Sequence, residues 1–270
     1  MKPKIFILIG IFSGVISLFS GQTRKEIIPI SIENIAEKPE VKLISVFDNY
    51  QVDRRLKTAW GLATIIETPN DSILFDTGGD SEILLFNMEK LGIKPSSIKK
   101  VVISHVHGDH LGGLKGFLEK NSKVTVFIPN SFPPSVKEMI TGKGAKFVEI
   151  SEARKISDLV YTVGVLYGPP EEQSLVIDSG KGLVVITGCA HPGIVNIVRK
   201  AKELLNRDEV FLALGGFHRP SLSCVKKFRE LRVEKVAPSH CSGDSVREAF
   251  KKEYGEDFIE YGAGKIIEIK

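Results

Sequence analysis

The chain has 270 residues, 37 Lys and Arg against 33 Asp and Glu, a formal net charge of +4, six His and three Cys. With 42% hydrophobic residues, that length fills one large domain or two small ones, which excludes a wholly disordered chain or a small disulfide-stapled one. The basic residues are scattered among acids, so charge gives no reason to expect a nucleic-acid partner, and Lys226, Lys227, Arg229 and Arg232 read as a solvated helix face.

The chain opens with Lys2 and Lys4, then an apolar run from Ile5 to Phe19, then the polar stretch Gly21-Gln22-Thr23-Arg24-Lys25-Glu26. The run is short for a membrane span, which needs about 20 residues, and suits the apolar core of a secretory signal. Residues 1–21 are therefore expected to be a signal peptide or, if cleavage after Ser17 or Ser20 fails, an N-terminal anchor, with 22–40 as a linker. The expected location is exported, periplasmic or extracellular, with membrane contact only through an uncleaved segment. Three Cys in an oxidising compartment leave at least one unpaired. Cys189 and Cys241 lie beside His residues and have metal contact as a competing use, whereas Cys224 reads as a small buried hydrophobe.

From Val41 onward, short β-branched runs alternate with helical patterns, without a linker or a fixed-period repeat. Strands are predicted at Val41–Phe47, Ala63–Glu67, Ser72–Phe75, Lys100–Ile103, Val124–Ile128, Lys146–Ile150, Ser174–Asp178, Leu183–Thr187, Val210–Ala213 and Ile266–Ile269. Helices are predicted at Ser81–Leu91, Gly113–Lys120, Ser135–Ile140, Gly193–Leu205, Ser221–Leu231 and Asp244–Glu253. Ile83, Leu84, Phe86, Met88 and Leu91 give the first helix a broad apolar stripe of the kind that covers a sheet. This order points to an α/β class, sheets with helices packed outside them. Asp244 reads as a helix-start residue, and the segments Asp48–Ala59 and Asn130–Gly144 read as loops lining a pocket.

The histidines carry the chemistry. His105, His107, Asp109 and His110 fall within six residues, directly after the apolar run Val101-Val102-Ile103. Alternation along an extended segment sends His105 and His107 toward one point, and the turn at Gly108 sends Asp109 and His110 toward a second. Imidazoles and a carboxylate suit zinc, and less selectively iron or manganese. One mononuclear site does not easily use all four, whereas two divalent metal ions can. His191, His218 and His240 each follow a strand or strand-like run, so a sheet edge can deliver all six histidines to one place.

These residues resemble the metallo-β-lactamase superfamily, whose strand-end His-x-His-x-Asp-His motif is highly specific. Phe75-Asp76-Thr77-Gly78 resembles its first motif. Trp60-Gly61-Leu62, Asn87, Gly188-Cys189-Ala190-His191-Pro192-Gly193 and Gly215-Gly216-Phe217-His218 are similar to one branch, which contains the archaeal methanopterin-pathway dihydropterin ribofuranosylaminobenzene phosphate synthase and many metal-dependent hydrolases. The resemblance implies an αββα sandwich, two mixed sheets with outer helices, forming a catalytic domain over 41–270. It further implies His105, His107 and His191 on one metal, Asp109, His110 and His240 on a second, and Asp76 as a hydrogen-bond partner behind the ligands. Here Gly188-Cys189 stands where most members have Gly-Asp, so Cys189 is either a bridging or second-metal ligand or a buried thiol beside the site. His218 is either a substrate contact and proton donor or a structural His. The implied activity is a hydrolase using a bridging hydroxide, with Asp109 and His218 in catalytic roles, on a small and anionic ester, lactone or phosphoester. The alternatives are a transferase resembling the synthase and a non-catalytic metal-dependent binding protein.

Overall fold

The computed structural model describes residues 41–270, so the expected export segment and linker lie outside the described residues. No helix among the described residues is long and apolar enough to cross a membrane.

Alternation along the strands builds three apolar layers from two sheets. In strand β1 (Val41–Asp48), Val41 and Leu43 face the other sheet, while Ile44 and Val46 face outward to helices. Strands β2 (Leu62–Thr68), β3 (Asp71–Phe75), β4 (Lys100–Val102), β5 (Thr125–Pro129) and β6 (Lys146–Ile150) follow it in spatial order. The C-terminal strand β13 (Ile266–Ile269) pairs antiparallel with the far side of β1, completing a seven-stranded mixed sheet. The second sheet has six strands in the order β12 (Val233–Ser239), β11 (Val210–Gly216), β10 (Gly182–Thr187), β9 (Glu172–Ser179), β8 (Val160–Leu166) and β7 (Arg154–Lys155).

Between the sheets lie Leu43, Ile66, Phe75, Leu175, Ile177, Val184, Ile186, Leu212 and Leu214. On the outside of the first sheet pack helices α1 (Ser81–Lys90), α3 (Leu114–Lys120) and α4 (Pro134–Gly142), through Leu84, Met88, Phe117 and Ile140, and a single turn, α2 (Gly108–Leu111), follows β4 at the functional edge. Outside the second sheet pack α5 (Ile194–Leu205), α6 (Ser223–Glu230) and α7 (Asp244–Tyr254), through Ile197, Val198, Phe228 and Phe250. The architecture is the expected αββα sandwich. Each of these fully buried aliphatic or aromatic side chains contributes about 1.5–3 kcal/mol. Strands buried on both faces, such as Leu183–Ile186, read as unbroken apolar runs for that reason.

The parallel stretches place the functional edge. Strands β3 and β4 run parallel in one sheet, as do β10, β11 and β12 in the other. Their connections cross over through helices, so the carboxyl ends of these strands collect loops where ligands bind in open α/β sheets. The segment Asn130–Gly144 corrects one expectation. It contains α4, which buries Ile140 in the outer layer, and it takes no part in the cavity beside the histidines.

Candidate metal centre

Asp76 organises the site from beneath. It follows β3 with a positive φ of 58°, and it is wholly buried. Its Oδ1 accepts the Ser104 backbone N–H at 2.7 Å, and its Oδ2 accepts the Ser104 hydroxyl at 2.8 Å. The same Oδ2 accepts Nδ1–H of His110 at 2.7 Å. Having given its proton to Asp76, the Ser104 hydroxyl accepts from Nδ1–H of His105 at 2.9 Å. One carboxylate thereby fixes two imidazole tautomers and leaves both Nε2 atoms with free lone pairs, the usual way a ligating histidine is oriented.

His105 Nε2 lies 3.2 Å from Nδ1 of His107. With His191 they form one cluster whose three candidate donor atoms lie within 4.8 Å of one another. Nε2 of His191 is buried and has no hydrogen-bond partner. A buried unpaired imidazole nitrogen costs roughly 1–3 kcal/mol unless something in the site takes it up.

The second cluster gathers around His110. Its Nε2 is 3.2 Å from Nε2 of His240, 3.2 Å from Sγ of Cys189 and 3.6 Å from Oδ2 of Asp109. Oδ2 of Asp109 is also 3.2 Å from Nε2 of His240. Asn49 accepts Nδ1–H of His240 at 2.9 Å and returns its own amide to the His240 carbonyl at 3.3 Å, so Nε2 of His240 also carries a lone pair. Two facing imidazole nitrogens, a carboxylate and a sulfur at such separations need positive charge among them, a proton or a metal cation. A four-coordinate zinc-like ion with bonds of about 2.0–2.3 Å sets its ligands about 3.3–3.8 Å apart, close to what is found here. The donor sets of both clusters suit a divalent cation.

The electrostatics point the same way. Burial and then the neighbouring imidazoles push the pKa of His105 well below its ordinary value. Burial, His218 and His107 bring His191 down to about 4, and burial lowers His240 against the pull of Asp109. These rings are neutral at neutral pH, as candidate metal ligands must be. Burial opposes ionisation of Asp109, but the neighbouring His240 and His110 outweigh it and hold its pKa below the ordinary value. Burial would lower His110, but Asp76 and Asp109 outweigh it and raise His110, so without a metal a proton on Nε2 of His110 takes the place a metal cation would fill. The Cys189 thiol is pushed upward by its hydrogen bond with Cys241 and by burial, so a cation beside the sulfur is what would hold a thiolate there.

All the sequence-predicted ligands, His105, His107, Asp109, His110, His191, His240 and Cys189, come together in these two clusters. His218 stands at their margin, with its ring 4.2 Å from that of His191 and its φ at 54°. Cys224 is buried in the α6 layer, as expected of a small hydrophobe.

Sequence reasoning missed the supports. Glu172, at the start of β9, is 1% exposed and accepts backbone N–H groups from Cys189, Ala190 and His191 at 3.0, 2.9 and 2.8 Å. It therefore shapes the loop that presents two candidate ligands. Beside it, Gln173 ties the second sheet to the first by donating to the Ile103 and Phe127 carbonyls. Asn87 ties α1 to the Val46 carbonyl of β1 and, through both backbone groups of Lys57, to the 49–61 segment. Two glycines permit close approach. A Cβ on Gly61 would come within 2.4 Å of the Asp109 carbonyl, and one on Gly188 within 2.1 Å of Ser104 Oγ.

A model of the metallo-beta-lactamase superfamily matches residues 61–240, about two thirds of the chain. The chain belongs to that superfamily. It is 29% identical to the 7,8-dihydropterin-6-methyl-4-(beta-D-ribofuranosyl)-aminobenzene-5'-phosphate synthase of Methanocaldococcus jannaschii over 87% of this chain and 98% of that protein. An uncharacterized protein of the same organism is 30% identical over 77% of this chain and 93% of its own length. A solved structure described as a metal-dependent hydrolase of the beta-lactamase superfamily superposes with a TM-score of 0.70 at 28% identity, covering 85% of this chain and 99% of that one. Superfamily members typically bind divalent metal ions, and both histidine clusters lie where this fold collects its strand ends.

Asp48, at the end of β1, adds a pH-dependent element. It is wholly buried, and burial pushes its pKa up to about 7 against the Tyr50 N–H bond to Oδ1. Its Oδ2 and the hydroxyl of Ser239 both lack well-aligned partners. Because the folded pKa lies above the unfolded value near 4, the contribution of Asp48 to stability is full below pH 4 and is lost as pH rises through about 7. In chelator-treated protein, Asp48→Asn is expected to gain about 2 kcal/mol on the wild type between pH 5.5 and 8. Denaturant melts at the two pH values check this, and a difference independent of pH would refute it.

Proposed function

We propose that this chain is a metal-dependent hydrolase with a dinuclear centre. The observation that carries the reading is the pair of adjoining donor clusters, His105/His107/His191 and Asp109/His110/Cys189/His240, whose donor atoms converge within 4.8 Å in each cluster, with Nε2 of His191 buried and without a protein partner. Divalent ions held there, most simply zinc, would supply a nucleophilic water at neutral pH and stabilise a developing oxyanion. The protein's own contribution is orientation. Asp76 and Ser104 hold the His105 and His110 tautomers, Asn49 holds that of His240, and Glu172 holds the 189–191 loop. Asp109 offsets part of the cationic charge, so the site favours an anionic transition state. His218, exposed and next to His191, would contact the leaving group and protonate it in its imidazolium form, which burial and the charges of His107 and Arg219 disfavour until a substrate anion is bound. The N-terminal apolar run extends the proposal to an exported enzyme.

One observation supports a second reading, a transferase that displaces a diphosphate with an arylamine. It is the 29% identity with the archaeal synthase over nearly the whole of that protein. The same ligands would serve it, since the charge to be stabilised is again anionic. Purified protein assayed against phosphodiesters, lactones, thioesters and a pterin diphosphate with an arylamine separates the readings. Hydrolysis of any of the first three without the amine supports the hydrolase. Amine-dependent turnover alone supports the transferase, and bound metal without turnover anywhere on the panel points to a binding protein.

A further inference from the structure

Beside the second cluster lies a cavity of about 700 Å³, with His240 and Cys241 in its wall. The rest of the lining comes from the segment after β1 (Asn49, Tyr50 and Trp60), from the loop after β11 (Arg219–Leu222) and from the start of α7. Its polar groups are unevenly occupied. Tyr50 donates to Asp244 at 2.9 Å, and the Arg247 guanidinium stacks 3.8 Å from the Tyr50 ring while pairing with Glu260 at 2.7 Å. Arg219 differs. Its backbone N–H is anchored to the Cys241 carbonyl at 3.2 Å, yet its guanidinium has no hydrogen bond or ion pair with any described residue. The loop is fixed and the charge it presents is unclaimed.

Two large apolar side chains are left open at the same cavity. Trp60 is 54% exposed and Leu222 57% exposed, and both line it. The Trp60 ring sits 4.8 Å from that of His240, directly against a candidate ligand. The bonds of Asn87 to Lys57 hold the segment that carries Trp60, so the indole is presented on a braced loop. An indole held on a braced loop beside a polar cavity offers a flat ligand an apolar face to stack on.

We propose that this cavity is the substrate's binding subsite, in which a planar ring lies on Trp60 and an anionic group, phosphate or carboxylate, pairs with Arg219. The proposal builds on the hydrolase reading only for where the reacting bond lies, at the His240 wall. Arg219 and Trp60 are then specificity-determining residues. A bidentate pair between a guanidinium and a phosphate or carboxylate is worth roughly 10- to 150-fold in affinity.

Trp60 is the chain's sole tryptophan, so its fluorescence reports on this cavity alone. The test titrates the metal-loaded full chain with phenyl phosphate, benzoate, benzyl alcohol and inorganic phosphate. At least one of the two ring anions is expected to bind about tenfold or more tightly than benzyl alcohol and than inorganic phosphate. Phenyl phosphate ahead of benzoate assigns the subsite to phosphate, and the reverse assigns it to carboxylate. Arg219→Met should remove the preference for the anion and leave benzyl alcohol unchanged, with Arg219→Lys between. Unchanged anion affinity in Arg219→Met, or no response of Trp60 to any ligand, would overturn the proposal, and equal affinity for phenyl and inorganic phosphate would remove the ring from it. His107→Ala separates this result from the metal reading. Binding lost there but kept in Arg219→Met puts the anion on the metal and ends the subsite proposal while the metal centre stands. Arg219-dependent binding that persists in His107→Ala supports the subsite whatever becomes of the metal.

Discussion

Replacing Glu172 with Ala is expected to lower the melting temperature by about 10 °C or more, the largest effect on stability of any single change around the site. Glu172 makes no contact with a substrate-sized cavity, and its importance comes from three backbone donors. The N–H groups of Cys189, Ala190 and His191 all point at its carboxylate, with Oε1 taking the first two and Oε2 the third. Ala190 holds a positive φ of 62°, so the loop is bent in a way that its own residues would not choose. Truncation leaves three buried donors unpaired at about 1–3 kcal/mol each, and releases the loop. Glu172→Gln is the instructive companion. An amide oxygen in the Oε1 position keeps two of the three bonds, while the amide nitrogen faces the His191 N–H. The loss should therefore be smaller in stability and concentrated at His191, visible as weakened metal binding. Melts of the Ala variant within about 3 °C of the wild type would show that the loop does not depend on Glu172.

The second large effect lies on chemistry rather than on folding. His107 is exposed, and its one hydrogen-bonding contact among the described residues is the 3.2 Å approach to His105. Substituting Ala there removes no core packing, so the variant should fold and melt like chelator-treated wild type. Yet it takes one of three donors from the His105/His107/His191 cluster. On the proposed two-metal reading, loss of the metal from that cluster and loss of turnover by about 10³-fold or more are expected. A folded His107→Ala protein with full activity on a substrate that the wild type turns over would contradict the assignment.

Much of this was readable from residues close together in the chain. The doubly buried run Leu183–Ile186 announces its strand, and His105, His107, Asp109 and His110 announce a candidate metal site, because one strand end and one turn bring them together. The gaps have physical causes. Strand β8 escapes prediction because Gly164, with φ of 82°, shifts the register between Thr162 and Val165 and interrupts the alternation. Strand β12 reads only as a short apolar stretch because it ends in Pro238-Ser239. Proline is tolerated there because β12 is an edge strand. Glu172 looks like a charged residue before a strand, and its partners lie 17 to 19 residues away. Asn49 meets His240 across 191 residues, which no local pattern can signal. Long-range supports of this kind become visible only once the two sheets are stacked.

Elemental analysis of the purified chain tests the central claim most directly. The account predicts about two divalent ions per chain in the wild type, and a clear deficit in His107→Ala with unchanged circular dichroism. A wild-type protein that binds no divalent ion at neutral pH, even after incubation with zinc, iron or manganese, would contradict it.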